Sequence, residues 1–172
     1  MNPEDSFRFS HAMTRQPGKS VAQGIRDGGG PDPDSRGFLR EHEAYVKALR
    51  AAGAEVTVLE PLEEFPDSVF VEDPALCVAG VAIILRPGAE SRFGERDPMR
   101  GALEQLFSRV IDLPEGGFVD GGDILIAGRE VLIGLSARTD ETGVAQLERI
   151  LADLGVPLRI VQTPPEILHF KT

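Results

Sequence analysis

Cysteine is nearly missing from this chain: its 172 residues hold one, Cys77. That excludes an internal disulfide framework and fits a reducing, cytoplasmic compartment. Positive charge is also scarce, with 18 Lys and Arg against 28 Asp and Glu, a formal charge of −10 and a pI near 4.8. Such a balance argues against a nucleic-acid partner, whose phosphates would be repelled, and against an anionic membrane surface. It is compatible with a small cationic ligand. Long apolar runs are lacking too. The longest, Val81 to Leu85, extended at most back to Val78, is far too short to span a bilayer, and the first 20 residues contain no apolar signal core. What is present is an apolar content of 41%, enough for a real core in a chain the length of one ordinary domain.

The most unusual stretch is Phe65-Pro66-Asp67-Ser68-Val69-Phe70-Val71-Glu72-Asp73-Pro74, which sets three carboxylates among Val and Phe. Val69 to Val71 favour a strand bounded by prolines. On such a strand Phe70 and Glu72 would share one face, and Val71 and Asp73 the other. Acids in an apolar strand cost free energy unless a cation or hydrogen-bond donors meet them. A guanidinium would serve, because its planar fork of N–H donors matches carboxylates and the Phe70 ring could cover its face. The alternative is a turn-flanked strand whose acids face water.

Phe7 to Thr14 alternates loosely, as a first strand would. Residues 24–34 are too rich in Gly and Pro for a regular element, and Ile25 is the large apolar residue that could tip a lid there. Ser35 can cap a helix carrying Phe38, Leu39, Tyr45, Val46 and Leu49, ended by Gly53, with a strand at Glu55 to Leu59. Ala75 to Gly80 and Val81 to Leu85 read as paired strands, Asp97 to Phe107 as a helix and Val110 to Leu113 as a strand. Strands at Ile124 to Ala127 and Val131 to Leu135, a helix from Glu141 to Leu154 and a strand at Leu158 to Val161 follow.

These last two blocks repeat. Asp73 opens a strand, an apolar strand follows, then Ser91-Arg92, a helix and a strand. Asp123 opens the same series, with Ser136-Ala137-Arg138 in the matching place. A strand-strand-helix-strand unit at a period of about fifty residues cannot bury its own face, which implies units arranged side by side or around an axis.

Five motifs then stand in order: Phe65 to Pro74, Arg86-Pro-Gly-Ala-Glu-Ser-Arg92, Asp120-Gly-Gly-Asp123, Gly134-Leu-Ser-Ala-Arg-Thr139 and Leu168-His-Phe-Lys171. Together they resemble the dimethylarginine dimethylaminohydrolase family of the guanidine-modifying (pentein) superfamily, from about Met13 onward. The resemblance implies an α/β fold, a propeller of ββαβ units, here with about three of five units: 7–62, 69–113 and 119–163, with a fourth beginning at 167–172. It implies hydrolysis of N-methylated arginine to citrulline and an amine, with a small guanidino amino acid as partner and neither cofactor nor metal. Asp67, Phe70, Glu72 and Asp73 would contact the substrate, the last two acids holding its guanidinium, and Ile25 would close over it. Arg92 and Arg138 would receive the α-carboxylate. His169 would be the general acid/base and Asp120 the acid that positions it, because a departing amine needs a proton and the imidazole needs a fixed tautomer. His11 and His42 match nothing in the family and read as structural.

The family's nucleophilic cysteine has no counterpart here. Cys77 reads as a small buried hydrophobe in a strand, so the chain alone is expected to be inactive. Unclosed sheet edges are expected to pair with another copy or with a missing C-terminal segment. Other readings are a non-catalytic guanidinium-binding module, deiminase or amidinotransferase chemistry, and a hard-cation site at Asp67, Glu72, Asp73, Asp120 and Asp123. The spacing of those acids does not match a calcium loop.

Overall fold

The computed structural model describes residues 8–26 and 30–171, and these fall into two units, 9–71 and the C-terminal unit from Glu72 onward. The N-terminal unit is a βαβ element. Strand β1 (His11–Arg15) pairs parallel with β2 (Glu55–Leu59), from His11 opposite Glu55 to Arg15 opposite Leu59, and helix α1 (Ser35–Ala51) makes the crossover. Phe7, expected to open β1, lies outside the described residues. The cap of α1 is Asp34, not Ser35. Its carboxylate accepts the N–H groups of Arg36 and Gly37, each at 3.1 Å, where the helix dipole also favours a negative charge. Gly53, with φ of +96°, turns the chain out of α1.

The stretch from Phe65 to Pro74 is not a strand. Ser68 N–H donates to the Phe65 carbonyl and Phe70 N–H to that of Asp67, each at 3.0 Å, and turns continue through Pro74. Two prolines and the turn-forming pair Asp67-Ser68 outweigh the β preference of Val69 to Val71. The alternating faces expected for Phe70, Glu72 and Asp73 therefore do not exist.

The C-terminal unit contains two copies of one arrangement. In the first, β3 (Ala75–Val78) runs antiparallel to β4 (Val81–Ile84), and β4 runs parallel to β5 (Val110–Asp112), reached through a 3-10 turn and helix α2 (Arg96–Leu103). In the second, β6 (Ile124–Ala127), β7 (Glu130–Leu135) and β8 (Leu158–Gln162) repeat this order and these directions, with α3 (Glu141–Asp153) as the crossover. Strand β4, with neighbours on both sides, is buried along its whole length. Helix α2 stops sooner than expected. No strand forms at residues 163–171, which turn instead, so the fourth unit expected there is not seen among the described residues.

One core serves both copies. Ile83, Leu85, Leu113 and Val119 pack with Val131 and Ile133 and with Val144, Leu147 and Leu151, the inward stripe of α3. Two backbone bonds join the copies above that core. Val119 N–H donates to the Arg86 carbonyl at 2.8 Å, and Gly121 N–H to the Asp73 carbonyl at 3.0 Å. Beside this seam the Phe93 and Phe118 rings stack at 5.7 Å, with the Arg86 guanidinium carbon 5.0 and 5.2 Å from their centroids. No helix among the described residues is long and apolar enough to cross a membrane.

Leu147 is fully buried in this core, whereas Leu125 is 41% exposed. Leu147→Ala is expected to lower unfolding free energy by about 2–5 kcal/mol, and Leu125→Ala by much less, in urea titrations. Equal losses would contradict a shared core centred on α3.

Candidate active site

The site grows from the seam between the two repeats. Asp73 stands just ahead of β3 and Asp123 just ahead of β6, with the Asp120-Gly-Gly-Asp123 turn crossing between them. Glycine is required in this turn by close approach. A Cβ on Gly121 would lie 2.0 Å from the Glu72 carbonyl oxygen, and one on Gly122 would lie 2.7 Å from the His169 ring. The turn therefore presses the backbone of Glu72 and Asp73 on one side against the imidazole on the other.

The buried charges are met one by one. Arg92 is 5% exposed and Glu95 is 2% exposed, so neither can rely on water. The Arg92 Nε and Nη2 groups donate to the two Glu95 carboxylate oxygens at 2.9 and 2.8 Å, and Nη1 donates to Asp73 Oδ2. Burial alone would depress the Arg92 pKa, but the two acids reverse that and raise it. Arg92 is thus not the open carboxylate receptor expected from sequence: its fork is occupied by Glu95 and Asp73. Glu95 was missed, and only its position three residues after Arg92 hinted at it.

Asp73, Asp120 and His169 bring one carboxylate or ring atom each to within 4.8 Å of one another. Burial, then the charge of Asp73, pushes the Asp120 carboxyl up to about 7. Its Oδ1 accepts the Gly122 N–H at 3.2 Å. Such a cluster could in principle hold a cation, but Arg92 already neutralises Asp73, which leaves too little charge for a hard ion.

Asp123, weighed in the sequence only as a cation ligand, is fully buried and surrounded by donors. Its Oδ2 accepts the Ser136 and Thr139 hydroxyls, each at 2.6 Å, and its Oδ1 accepts the Phe170 N–H at 2.9 Å. The His169 Nδ1 stands 3.7 Å from the same Oδ1, an ion-pair distance longer than a hydrogen bond. Burial works against the Asp123 charge, yet the imidazole, the two hydroxyls and the amide outweigh it and hold its pKa below the ordinary range. In return, Asp123 foremost raises the His169 pKa, against the opposing effect of burial and with help from Asp120 and Asp73.

Of the other expected residues, Glu72 is exposed and ion-paired with Lys171 Nζ. Arg138 is half-buried on the turn after β7, where its N–H donates to Ser136 Oγ at 2.9 Å, and its guanidinium makes no ion pair among the described residues. Ile25, Asp67 and Phe70 belong to the N-terminal unit. There the Asp67 carboxylate accepts the Ile25 N–H at 3.0 and 3.2 Å, and Phe70 is exposed. Cys77 is not the buried hydrophobe expected. It faces outward on β3, while crowding around the sulfur still pushes its thiol up to about 11.

Asp120 titrates higher in the folded chain than its ordinary 3.8, so its favourable contribution is present at low pH and lost as pH rises through about 7. Asp120→Asn removes that loss. Its stability relative to the parent is expected to improve as pH rises from about 4 to about 7 and to level off above that in urea titrations, and parallel curves would contradict the assigned burial.

Sequence and structure comparisons agree with this architecture. The family of eukaryotic N,N dimethylarginine dimethylhydrolases matches residues 34–170. The N(G),N(G)-dimethylarginine dimethylaminohydrolase of Pseudomonas aeruginosa is 39% identical over 165 residues, covering 95% of this chain and 65% of that protein. Its namesake in Streptomyces coelicolor is 37% identical over 163 residues, covering 94% and 62% respectively. The chain therefore spans a little under two thirds of these relatives. A solved Pseudomonas aeruginosa structure, a cysteine-to-serine mutant complexed with citrulline, superposes with a TM-score of 0.92 at 40% identity, over 96% of this chain and 65% of that one. A cyanobacterial arginine dihydrolase domain shares the fold alone, with a TM-score of 0.78 at 18% identity over 90% of this chain and 58% of that one. The repeated ββαβ units are accordingly those of the α/β pentein propeller, and the chain belongs to the dimethylarginine dimethylhydrolase family.

Proposed function

We propose that this chain contributes the guanidinium-binding and acid/base portion of a site that hydrolyses N-methylated arginine to citrulline and an amine. The observation that carries the proposal is the convergence of Asp73, Asp120 and His169, two buried carboxylates and an imidazole within 4.8 Å. A planar guanidinium satisfies such a cluster better than water does, since its N–H fork meets carboxylate oxygens in their own plane. Arg92 takes Asp73 Oδ2, and Asp73 also shares a hydrogen bond with Asp120, a contact that the ligand's N–H groups would replace. A bound cation would also favour the ionised form of Asp120. Glu72 would receive a second edge of the ligand by releasing Lys171.

His169 is suited to protonate the departing amine, because its neighbouring acids favour the imidazolium. The same imidazole, once neutral, can accept a proton from the water that completes hydrolysis. Arg138, half-buried on the turn after β7 and without an ion pair among the described residues, would take the ligand's α-carboxylate; Arg92 would do so only by giving up Glu95 or Asp73. The nucleophile is not Cys77. A thiol near 11 is almost wholly protonated at neutral pH, and β3 holds it outward. The relatives are longer than this chain, and the attacking thiolate is assigned to residues outside these 172.

Two measurements test the reading. Calorimetric titration with L-arginine or dimethylarginine should show binding that Asp73→Ala weakens at least about tenfold, near 1.4 kcal/mol. Unchanged binding would contradict it. A citrulline assay on the 172-residue chain should remain at background with dimethylarginine, and turnover abolished by Cys77→Ser would overturn the exclusion of that thiol.

A further inference from the structure

The two segments that carry Arg92 and Arg138 touch backbone to backbone, and Gly88 is where they touch. A Cβ on Gly88 would lie 2.5, 2.7 and 2.9 Å from the carbonyl oxygen, Cα and carbonyl carbon of Arg138. Ordinary contact begins near 3.4 Å, and backbone atoms cannot swing aside as the end of a long side chain can. Gly88 does not take a positive φ, so its conformation does not demand glycine; the approach of Arg138 does. The two sides of this contact are not equally firm. The loop of Gly88 leaves β4 at Arg86, whose carbonyl accepts the Val119 N–H at 2.8 Å, and runs through the buried Pro87. It then enters the 3-10 turn Glu90–Glu95, where the Arg92 N–H donates to the Ala89 carbonyl at 3.0 Å. The opposing turn closes on itself. Ser136 N–H donates to the Thr139 carbonyl at 3.1 Å, and Ser136 Oγ accepts the N–H groups of Arg138 and Thr139 at 2.9 and 3.2 Å. Two hydroxyls tether that turn to Asp123, while Ala137 at its tip is exposed and Arg138 half-buried. Pushed apart, the turn is the side that yields.

We infer that Gly88 is a positioning residue for Arg138 and, through it, makes the site select ligands that bear an α-carboxylate. A side chain at 88 would drive the Arg138 turn off by about 1 Å, the gap between 2.5 Å and ordinary contact. A guanidinium grips a carboxylate through two parallel hydrogen bonds, and their alignment does not survive such a shift. Arg92 is no substitute, because Glu95 holds two of its nitrogens and Asp73 the third. The guanidinium end of the ligand is assigned to Asp73 and Asp120, which the turn from Asp120 to Asp123 brings together. The two ends of a bound ligand therefore respond separately to a change at Gly88.

The inference rests on Arg138 receiving the ligand's carboxylate, and agmatine separates the two claims, since it carries the same guanidinium on the same chain without a carboxylate. In calorimetric titrations, Gly88→Ala should weaken L-arginine at least about tenfold and leave agmatine within about twofold. Equal weakening of both, or of neither, overturns the inference. Arg138→Ala should remove the same preference, and Gly88→Ala added to it should cost little more; additive losses contradict action through Arg138. If Arg138→Ala leaves L-arginine binding unchanged, the carboxylate assignment has failed and the selectivity of Gly88 with it. The positioning is then decided without any ligand. In ¹⁵N spectra, Gly88→Ala should shift the amides of Ala137, Arg138 and Thr139 while those of Leu147 and Leu151 in α3 stay in place. Unmoved amides at 137–139 would overturn it.

Discussion

The structure depends on keeping charge balanced where no water reaches. Arg92 is a permanent cation inside the buried ionic cluster, and Glu95 and Asp73 each hold part of its guanidinium. Removing either acid would leave a guanidinium only partly paired, which costs several kcal/mol in a buried setting. Because Asp73 is fixed in this way, the crossing turn from Asp120 to Asp123 has a rigid surface to lie against. The glycines at 121 and 122 allow contact close enough that Asp120 and His169 enter the same small space.

The two ββαβ copies solve the same problem with different chemistry. In each, an acid at the head of the first strand reaches forward to the loop after the second. Asp73 meets a guanidinium there, whereas Asp123 meets two hydroxyls. The difference has electrostatic consequences. A carboxylate paired with a permanent cation is already neutralised, while one held by neutral donors keeps its charge and projects it toward His169. A repeat that is symmetrical in backbone thus becomes asymmetric in charge, with a cation-receiving side and a proton-handling side.

Much of this was legible in the sequence, and the failures have identifiable causes. Gly53 and Gly80, which mark element ends in the sequence, each take a positive φ, so that punctuation is physically real. The apolar run of β4 is legible because a strand buried along its whole length must be apolar. In Phe65 to Pro74 the Val-Phe-Val run points to a strand, but the turn chemistry of Asp67-Ser68 prevails. Glu95 and Thr139 escaped notice because their importance lies in tertiary contacts, which local pattern does not encode. Asp123 was visible as the counterpart of Asp73 in the repeat, yet its partners were not. Asp34 displaced Ser35 as a cap by a single position, within the tolerance of any reading from composition.

The convergence of Asp73, Asp120 and His169 on one ligand is most directly tested by chemical-shift mapping of the isotope-labelled chain with L-arginine. The expected result is a compact set of saturable changes at the Asp73, Gly121 and Gly122 amides and the His169 ring, with the β1 and β2 amides unmoved. Changes centred on α1 and β2, or none at His169 at saturating ligand, would contradict a guanidinium site at this seam.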